Sequence, residues 1–248
     1  MTIQENETLD DLQNGYWILQ PKKGFRFGID AVLLADFADI SPEETVLDLG
    51  CGSGILPLLL AARNKGRRIT GLEISEDSAA MARRSAAYNH LEDRIFVITG
   101  DLREAGSYGE AASFDTVVSN PPYMLPSQGK VSSDPQVAAA RHEVLCTFAD
   151  VAQAASDALK ERGRFFLVHR AVREEEILKT LREKGLLPVR LRRVQPFADA
   201  DANLILVESE RCPDANESTS ILIIEVPLIV YEAPGVYTEE IRRIYGIL

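Results

Sequence analysis

Cysteine and histidine are both scarce in this chain. Its 248 residues include 3 cysteines and 3 histidines. Cys51, Cys146 and Cys212 are widely separated, and none of them belongs to a Cys-x-x-Cys pair. This spacing argues against a disulfide framework and against a zinc site. We therefore expect three reduced thiols and no bound metal.

Long hydrophobic runs are absent as well. The most apolar stretches are Ile55–Ala62 and Ile221–Tyr231, and both are well short of the roughly 20 residues that a membrane-spanning helix needs. The N-terminal residues, MTIQENETLDDLQNGYW, lack the basic and apolar segments of a signal peptide. The sequence therefore predicts a cytoplasmic protein with no membrane partner.

Positive charge is in deficit. The chain has 27 Lys and Arg against 38 Asp and Glu, for a formal net charge of −11. Polyanions are bound mainly through cations, so a general coat on nucleic acid or anionic lipid is excluded, and a polyanionic partner must be met by a local basic patch. The hydrophobic content of 46% and charged content of 26% are those of a globular domain, which argues against a disordered or fibrous chain.

An alternation of short apolar runs and helical patterns dominates the rest of the sequence. Five runs have the length and composition of buried strands: Thr45–Leu49, Arg68–Leu72, Ile95–Thr99, Phe114–Ser119 and Gly163–His169. Helical segments separate them, which predicts an α/β fold with a doubly wound, mostly parallel sheet. Val189–Val194 and Asn203–Glu208 are joined by too few residues for a crossover helix, so we expect an antiparallel C-terminal pair and seven strands in all.

The chain length is compatible with one or two domains, and we expect a single one. The core sheet is assigned to residues 45–210, and residues 1–44 to an N-terminal element that covers the substrate or cofactor. Residues 211–248 form a C-terminal extension. Helices are expected over Ile29–Phe37 and Thr238–Tyr245 in the two flanking segments, and over Val144–Lys160 in the core.

A glycine cluster follows the first strand of the predicted core. Glycine has no Cβ, so such a turn bends tightly and lets a ligand approach the backbone. In an open parallel sheet, ligands bind beyond the carboxyl ends of the strands. Glu73 ends the next strand, where a carboxylate can accept two hydrogen bonds from a ribose diol. With Asp101 after the third strand, these residues predict a nucleoside site. The cluster reads Asp48-Leu-Gly50-Cys51-Gly52-Ser-Gly54.

Two common nucleotide signatures do not fit this cluster. The G-x-G-x-x-G/A fingerprint requires a small residue where Ile55 or Pro57 stands, and the G-x-x-x-x-G-K-[ST] phosphate loop is absent. An NAD-dependent oxidoreductase and a P-loop ATPase therefore have little support. For the glycine cluster alone, a turn that only tightens the strand-to-helix junction is the alternative.

The run VLDLGCGSG, followed by an acid at the end of the next strand, resembles the S-adenosylmethionine-binding motif of class I methyltransferases. That family has a Rossmann-like sheet with an antiparallel pair at its end. The resemblance implies S-adenosyl-L-methionine as the cofactor, with the loop from Gly50 to Gly54, including Cys51 and Gly52, under its methionine part. Asp48 would orient the loop or meet the amino group.

The same resemblance assigns the nucleoside part of the cofactor. Glu73 would bind the ribose hydroxyls and Ile74 would pack on adenine. Asp101 and Leu102 would approach the adenine edge. Asn120, which follows the fourth strand, also belongs to the implied cofactor-binding set.

The tetrapeptide Asn120-Pro121-Pro122-Tyr123 follows the fourth strand in the same crevice. Its prolines fix φ and remove two backbone donors, and its tyrosine offers a flat face. Accepting the two N–H protons of a planar amine at the Asn120 side-chain oxygen and the Pro121 carbonyl favours a pyramidal nitrogen whose lone pair faces the methyl group. Orientation of this kind lowers a barrier by roughly 7–11 kcal/mol. An ordinary turn is the alternative.

The tetrapeptide resembles the signature of the amino-methylating branch of class I, whose members modify adenine N6, guanine N2 or a glutamine amide. The resemblance implies that Asn120, Pro121, Pro122 and Tyr123 are catalytic.

The segment QPKKGFRFGIDAVLLA at residues 20–35 resembles the compact N-terminal element of bacterial tRNA(Val) adenine-37 N6-methyltransferases. Ala140–Glu143 and Val236–Tyr245 also resemble that group. The resemblance implies adenine N6 in a structured RNA, most simply a tRNA, as the target, with Gly28 and Asp30 near the cofactor. Methylation of guanine N2 in rRNA, methylation of a protein glutamine N5, and a non-catalytic nucleoside- or RNA-binding module stay open as alternatives.

An RNA substrate requires cations even on an acidic protein. The candidates within the N-terminal element are Lys22, Lys23 and Arg26. A second basic group contains Arg190, Arg192 and Arg193. A solvated surface with no partner is the alternative for each group. The oligomeric state is not predicted.

Overall fold

The structure is a computed structural model that describes residues 3–23, 26–104, 106–123, 146–213 and 221–247. The Ala140–Glu143 segment lies outside these ranges. The strands are β1 Glu7–Asp11, β2 Trp17–Pro21, β3 Thr45–Leu49, β4 Arg68–Glu73, β5 Ile95–Thr99, β6 Phe114–Ser119, β7 Leu159–Arg170, β8 Leu186–Gln195, β9 Leu204–Arg211, β10 Ile223–Ile224, β11 Leu228–Ile229, β12 Tyr231–Ala233 and β13 Val236–Tyr237. The helices are α1 Ile29–Phe37, α2 Ile55–Ala62, α3 Glu76–Tyr88, α4 Phe148–Ala158, α5 Glu174–Glu183 and α6 Glu239–Tyr245.

The seven predicted strands form one sheet in the order β8-β9-β7-β6-β3-β4-β5. The pairs among β3 to β7 are all parallel, whereas β9 runs antiparallel to both β7 and β8. The predicted α/β class and antiparallel pair are confirmed. The prediction of seven strands omitted β10 and β11, which add to β8 in parallel. Each has two residues, too few for a periodic pattern.

Both faces of the sheet are covered, as the near-continuous apolar strands require. Successive residues of β3 show this directly. Val46 belongs to a core cluster that includes residues of α1, α2 and α6, and Leu47 belongs to a second cluster that includes residues of α4 and α5. Both side chains are 0% exposed. This double burial fixes the register of β3 between β4 and β6.

The N-terminal hairpin lies along α3. The Leu19 backbone N–H donates to Ser85 Oγ at 2.9 Å, and the Trp17 N–H donates to Asn89 Oδ1 at 2.8 Å. Buried Glu7 forms an ion pair with Arg84. Strand β1 was not predicted, because its sequence ETLDD has no apolar alternation. It pairs antiparallel with β2, and its contact with α3 is the Glu7–Arg84 ion pair.

The helix predicted over Val144–Lys160 is shorter in the structure, where α4 spans Phe148–Ala158. A capping box between Thr147 and Asp150 starts it. The following strand begins at Leu159, before the predicted start at Gly163, and irregular pairing with β6 accommodates the added residues. At the C-terminus, α6 agrees with its prediction, and its first turn is capped by the Thr238 hydroxyl, which accepts from the Ile241 N–H at 3.3 Å.

Among the described residues, no helix combines the length and apolar character needed to cross a bilayer.

Candidate active site

The two sequence motifs meet at the carboxyl edge of the sheet. In the register of the strands, Asp48 of β3 is level with Gly71 of β4 and with Val118 of β6. The glycine loop after β3 and the Asn120 tetrapeptide after β6 therefore leave neighbouring strands at the same edge. The structure brings both motifs into one crevice.

Three glycines of the loop adopt left-handed backbone conformations. Gly50, Gly52 and Gly54 have φ angles of 77°, 55° and 89°. A Cβ on Gly50 or Gly52 would have no heavy atom within 4 Å, so this side of the loop is open. A Cβ on Gly54 would lie 3.0 Å from the Ala82 Cβ. The first two glycines thus present bare backbone to open space, while the third lets α2 start close to α3.

Glu73 ties the glycine loop to the start of α3. Its two carboxylate oxygens accept the Gly52 N–H at 2.9 Å and the Ser75 N–H at 2.8 Å. Burial raises the pKa of Glu73, although backbone hydrogen bonds oppose this. A carboxylate offers about four acceptor positions, so about two remain for ligand hydroxyls. Glu73 therefore has a structural task besides the predicted one.

Asp48 is a buried carboxyl group without a hydrogen-bond partner in the described part of the chain. The residue is 1% exposed, and neither side-chain oxygen has a partner. Burial and then the charge of Glu73 raise its pKa well above the ordinary value. Because an isolated buried charge is unfavourable, a cation beside the loop would stabilise the ionised form. The residues therefore fit a ligand that carries an ammonium or sulfonium group.

Beyond Glu73, the crevice has an exposed apolar side chain and a second acid. Ile74 is 43% exposed, which is compatible with packing against a planar ring. The Asp101 carboxylate is held by Arg103, whose Nη2 lies 2.5 Å from Oδ2 and whose Nε lies 3.0 Å from Oδ1. Arg103 lowers the pKa of Asp101. Leu102 packs against the core on the α4 side. Sequence reasoning missed Arg103, which is two residues from the acid it fixes.

The Asn120 tetrapeptide makes a contact with the N-terminal element that the sequence did not predict. The Tyr123 hydroxyl lies 2.8 Å from Asp30 Oδ2 and also contacts Asn120 Oδ1. The Tyr123 ring meets the His169 ring edge-on, with centroids 5.2 Å apart. Pro121 is buried, and Pro122 and Tyr123 are half-buried. Asp30 thus reaches the tetrapeptide, and Gly28, the N-cap of α1, lies two residues before it.

Cys51 and His169 are packed inside the protein. A Cβ on Gly71 would lie 2.6 Å from the Cys51 Sγ, and burial raises the pKa of this thiol. His169 is 0% exposed, and burial lowers its pKa to about 3. Its Nδ1 accepts the Arg170 N–H at 2.9 Å. Within the described ranges, no group of three or more His, Cys, Asp or Glu side chains could hold a metal ion.

The predicted basic groups differ in their surroundings. Lys22 and Lys23 are exposed and form no ion pair within the described residues, whereas Arg26 is paired with Asp10 at 2.7 Å. The second group is bound internally by glutamates: Arg190 by Glu208 and Glu225, Arg192 by Glu225 and Glu240, and Arg193 by Glu174.

Arg170 is a cation that sequence reasoning missed. It is exposed at the carboxyl end of β7 and forms no ion pair with any described residue. Burial and then Asp30 raise the pKa of Tyr123, and the charge of Arg170 opposes them. Because β7 is adjacent to β6, Arg170 stands beside the Asn120 tetrapeptide. Its position depends on strand order, which its own sequence neighbourhood does not reveal.

Comparisons with known proteins cover most of the chain. Residues 28–184 match the methyltransferase small domain family. A tRNA1(Val) (adenine(37)-N6)-methyltransferase of Porphyromonas gingivalis (strain ATCC 33277) is 30% identical over 225 residues, which cover 88% of this chain and 86% of the relative.

Solved structures are similar over a comparable span. The crystal structure of a predicted O-methyltransferase from Agrobacterium tumefaciens has a TM-score of 0.68 and 25% identity, covering 88% of this chain and 95% of that one. Geranyl diphosphate C-methyltransferase from Streptomyces coelicolor A3(2), in complex with Mg2+, geranyl diphosphate and S-adenosyl-L-homocysteine, has a TM-score of 0.53 and 16% identity, covering 73% of this chain and 79% of that one. The second likeness concerns the fold alone.

Proposed function

Because the chain belongs to the methyltransferase small domain family, we propose that it transfers a methyl group from S-adenosyl-L-methionine to N6 of an adenine in tRNA. The observation that carries this proposal is the convergence of the open glycine loop, the unpartnered Asp48 and Asn120 at neighbouring strand ends. The Porphyromonas gingivalis relative, named for adenine 37 of a valine tRNA, supports the choice of base and RNA.

The cofactor is assigned to the crevice between the glycine loop and α3. Its methionine part would lie on the open side of Gly50 and Gly52, where its cationic groups supply the partner that buried Asp48 lacks. The two acceptor positions left on Glu73 suit ribose hydroxyls, and exposed Ile74 suits the adenine face. In this arrangement the bound group supplies an electrophilic methyl on a positively charged sulfur.

The tetrapeptide after β6 is assigned to the substrate amine. The Asn120 side-chain oxygen and the Pro121 carbonyl accept its two N–H protons, so the nitrogen lone pair turns toward the methyl group. A nitrogen–carbon bond forms, the carbon–sulfur bond breaks with its electron pair staying on sulfur, and the nitrogen releases one proton to solvent. These residues act mainly by orientation, because a neutral amine needs no prior deprotonation.

Cations at the same edge are assigned to RNA phosphates. Strand β2 runs along α3 from Trp17, beside Asn89, toward the start of that helix, which follows β4. Lys22 and Lys23 therefore approach the carboxyl edge of the sheet. Arg170 flanks the tetrapeptide from β7 on the other side. Phosphate contacts of this kind can bind RNA locally on a protein whose net charge is −11.

The proposal is tested by incubating the protein with labelled S-adenosylmethionine and, in parallel reactions, total tRNA, rRNA or protein from a strain that lacks the gene. Nucleoside mass spectrometry should then find N6-methyladenosine. Asn120→Ala should abolish transfer while affinity for S-adenosylhomocysteine changes by less than about threefold. Label in N2-methylguanosine, in a 2′-O-methyl nucleoside or in protein glutamine would overturn the choice of target. Cofactor binding without transfer to any fraction would favour a non-catalytic binding module.

A further inference from the structure

A chain of three polar side chains connects α1 to the substrate-binding tetrapeptide. Asp30 lies in the first turn of α1, and its Oδ2 is 2.8 Å from the Tyr123 hydroxyl oxygen. The same hydroxyl contacts the amide of Asn120. Asp30 and Tyr123 are 93 residues apart in sequence. This contact is therefore a product of the fold, and it ends on the residue assigned to the substrate amine.

The number of hydrogen-bond donors among Asp30, Tyr123 and Asn120 sets the orientation of the Asn120 amide. A tyrosine hydroxyl has one proton to donate, and an ionised carboxylate can only accept. With Asn120 Oδ1 toward Tyr123, two acceptors compete for that proton. Rotating the amide by about 180° removes the conflict, because Nδ2 then donates to the hydroxyl oxygen while the hydroxyl donates to Asp30. Oδ1 then faces away from Tyr123 and is free to accept a hydrogen bond.

The components of this chain are themselves held in place. Asp30 Oδ1 accepts the Ala31 N–H at 3.1 Å, and a Cβ on Gly28 would lie 2.9 Å from the same oxygen. The Tyr123 ring packs edge-on against His169, and the Tyr123 carbonyl accepts from Arg173 Nη1 at 3.3 Å. Burial, followed by the charge of Asp30, raises the pKa of Tyr123, so the phenol keeps its proton.

We propose that Asp30 is a positioning residue, which acts through the Tyr123 hydroxyl to hold the Asn120 carbonyl oxygen toward the substrate amine. This inference rests on the proposed function, and it gives Asp30 a task different from contact with the cofactor. It also separates two contributions of Tyr123. The aromatic face suffices for stacking on a base, whereas only the hydroxyl can orient the asparagine.

The test uses the full chain with tRNA and S-adenosylmethionine. Tyr123→Phe keeps the ring and removes the hydroxyl, and Asp30→Ala removes the acceptor. Each should lower kcat by about 10- to 100-fold, with KM for tRNA and Kd for S-adenosylhomocysteine within about twofold of the unsubstituted protein. Asp30→Asn keeps an acceptor oxygen and should retain activity within about fivefold. Tyr88→Phe, on the 41% exposed last residue of α3, is the matched control and should have no effect.

The double variant Tyr123→Phe with Asp30→Ala gives the sharpest readout. If Asp30 and Tyr123 act through the same series of hydrogen bonds, the kcat of the double variant should be no lower than that of the less active single variant. The reason is that the same interaction is lost only once. Multiplicative losses would overturn the inference, as would full activity of Tyr123→Phe or a selective loss of S-adenosylhomocysteine affinity in Asp30→Ala. Absence of tRNA methylation by the unsubstituted protein would instead refute the proposed function.

Discussion

Replacing Asp48 by asparagine tests whether the buried Asp48 carboxylate destabilises the ligand-free protein and is stabilised by a cationic ligand. The Asp48 carboxyl is 1% exposed and has no partner in the described structure, and burial raises its pKa well above the ordinary value of 3.8. The unfolded chain therefore releases this proton at a lower pH than the folded protein does. As a result, the free energy of unfolding falls as the pH rises above about 4, and stops falling once the pH exceeds the raised pKa.

The size of this effect has an upper limit. If Asp48 stays protonated in the folded protein at pH 7, the free energy of unfolding falls by about 1.36 kcal/mol for each pH unit between its ordinary pKa and 7. The total decrease is at most about 4 kcal/mol. Asp48→Asn removes the titration. The variant should therefore gain stability relative to the unsubstituted protein as the pH rises from about 4 to 7, while its affinity for S-adenosylmethionine falls by about tenfold or more.

Urea unfolding of ligand-free protein at several pH values measures the difference, and calorimetric titration measures cofactor affinity. Asp115→Asn is a matched control on β6. Burial raises the pKa of Asp115, but hydrogen bonds from Lys160 and Thr45 outweigh this and leave it lowered. Ionised Asp115 therefore stabilises the folded protein above its ordinary pKa, and this stabilisation is lost as the pH falls through the lowered pKa. Because Asp115→Asn lacks it, this variant should lose stability relative to the unsubstituted protein as the pH rises. Equal slopes for the two variants, or a pH-independent difference for Asp48→Asn, would refute the reasoning.

Three further experiments separate the parts of the site. Glu73→Ala should lower both S-adenosylhomocysteine affinity, by about tenfold, and the melting temperature, because two backbone N–H groups lose their acceptor; a change in melting temperature alone would contradict a ribose contact. Arg170→Glu should raise KM for tRNA and reduce its log–log salt slope by about 1, whereas Arg162→Glu, at the opposite end of β7 and with its side chain 80% exposed, should change neither. Gly54→Ala should destabilise the protein by about 1–3 kcal/mol through backbone strain and crowding against α3. Gly50→Ala should destabilise it by less but should cause the larger loss of cofactor affinity. Unfolding curves and calorimetric titration that gave the reverse order would contradict these two assignments.

The glycine loop shows how much of the site could be predicted from local pattern. A β-rich apolar run, three glycines and an acid at the next strand end are properties of short segments, and the structure places them as those patterns indicate. Arg190 shows the limit of such reasoning. It is basic in sequence, yet it lies over the Phe37 ring, 3.9 Å from the ring centroid, and pairs with Glu208 and Glu225. Its partners come from other elements, so no local signal distinguishes it from a free cation.

The sequence by itself determined the seven main strands of the large sheet, their alternation with helices and the two motifs, because buried strands and tight turns impose their own residue types over a few positions. Tertiary structure alone decided that the β1 hairpin covers α3, that Asp48 has no partner in the described structure and that Asp30 meets Tyr123 across 93 residues. Such contacts depend on which strands become neighbours and on how loops end at a common edge. That information resides in packing between distant segments rather than in the periodicity of any one of them.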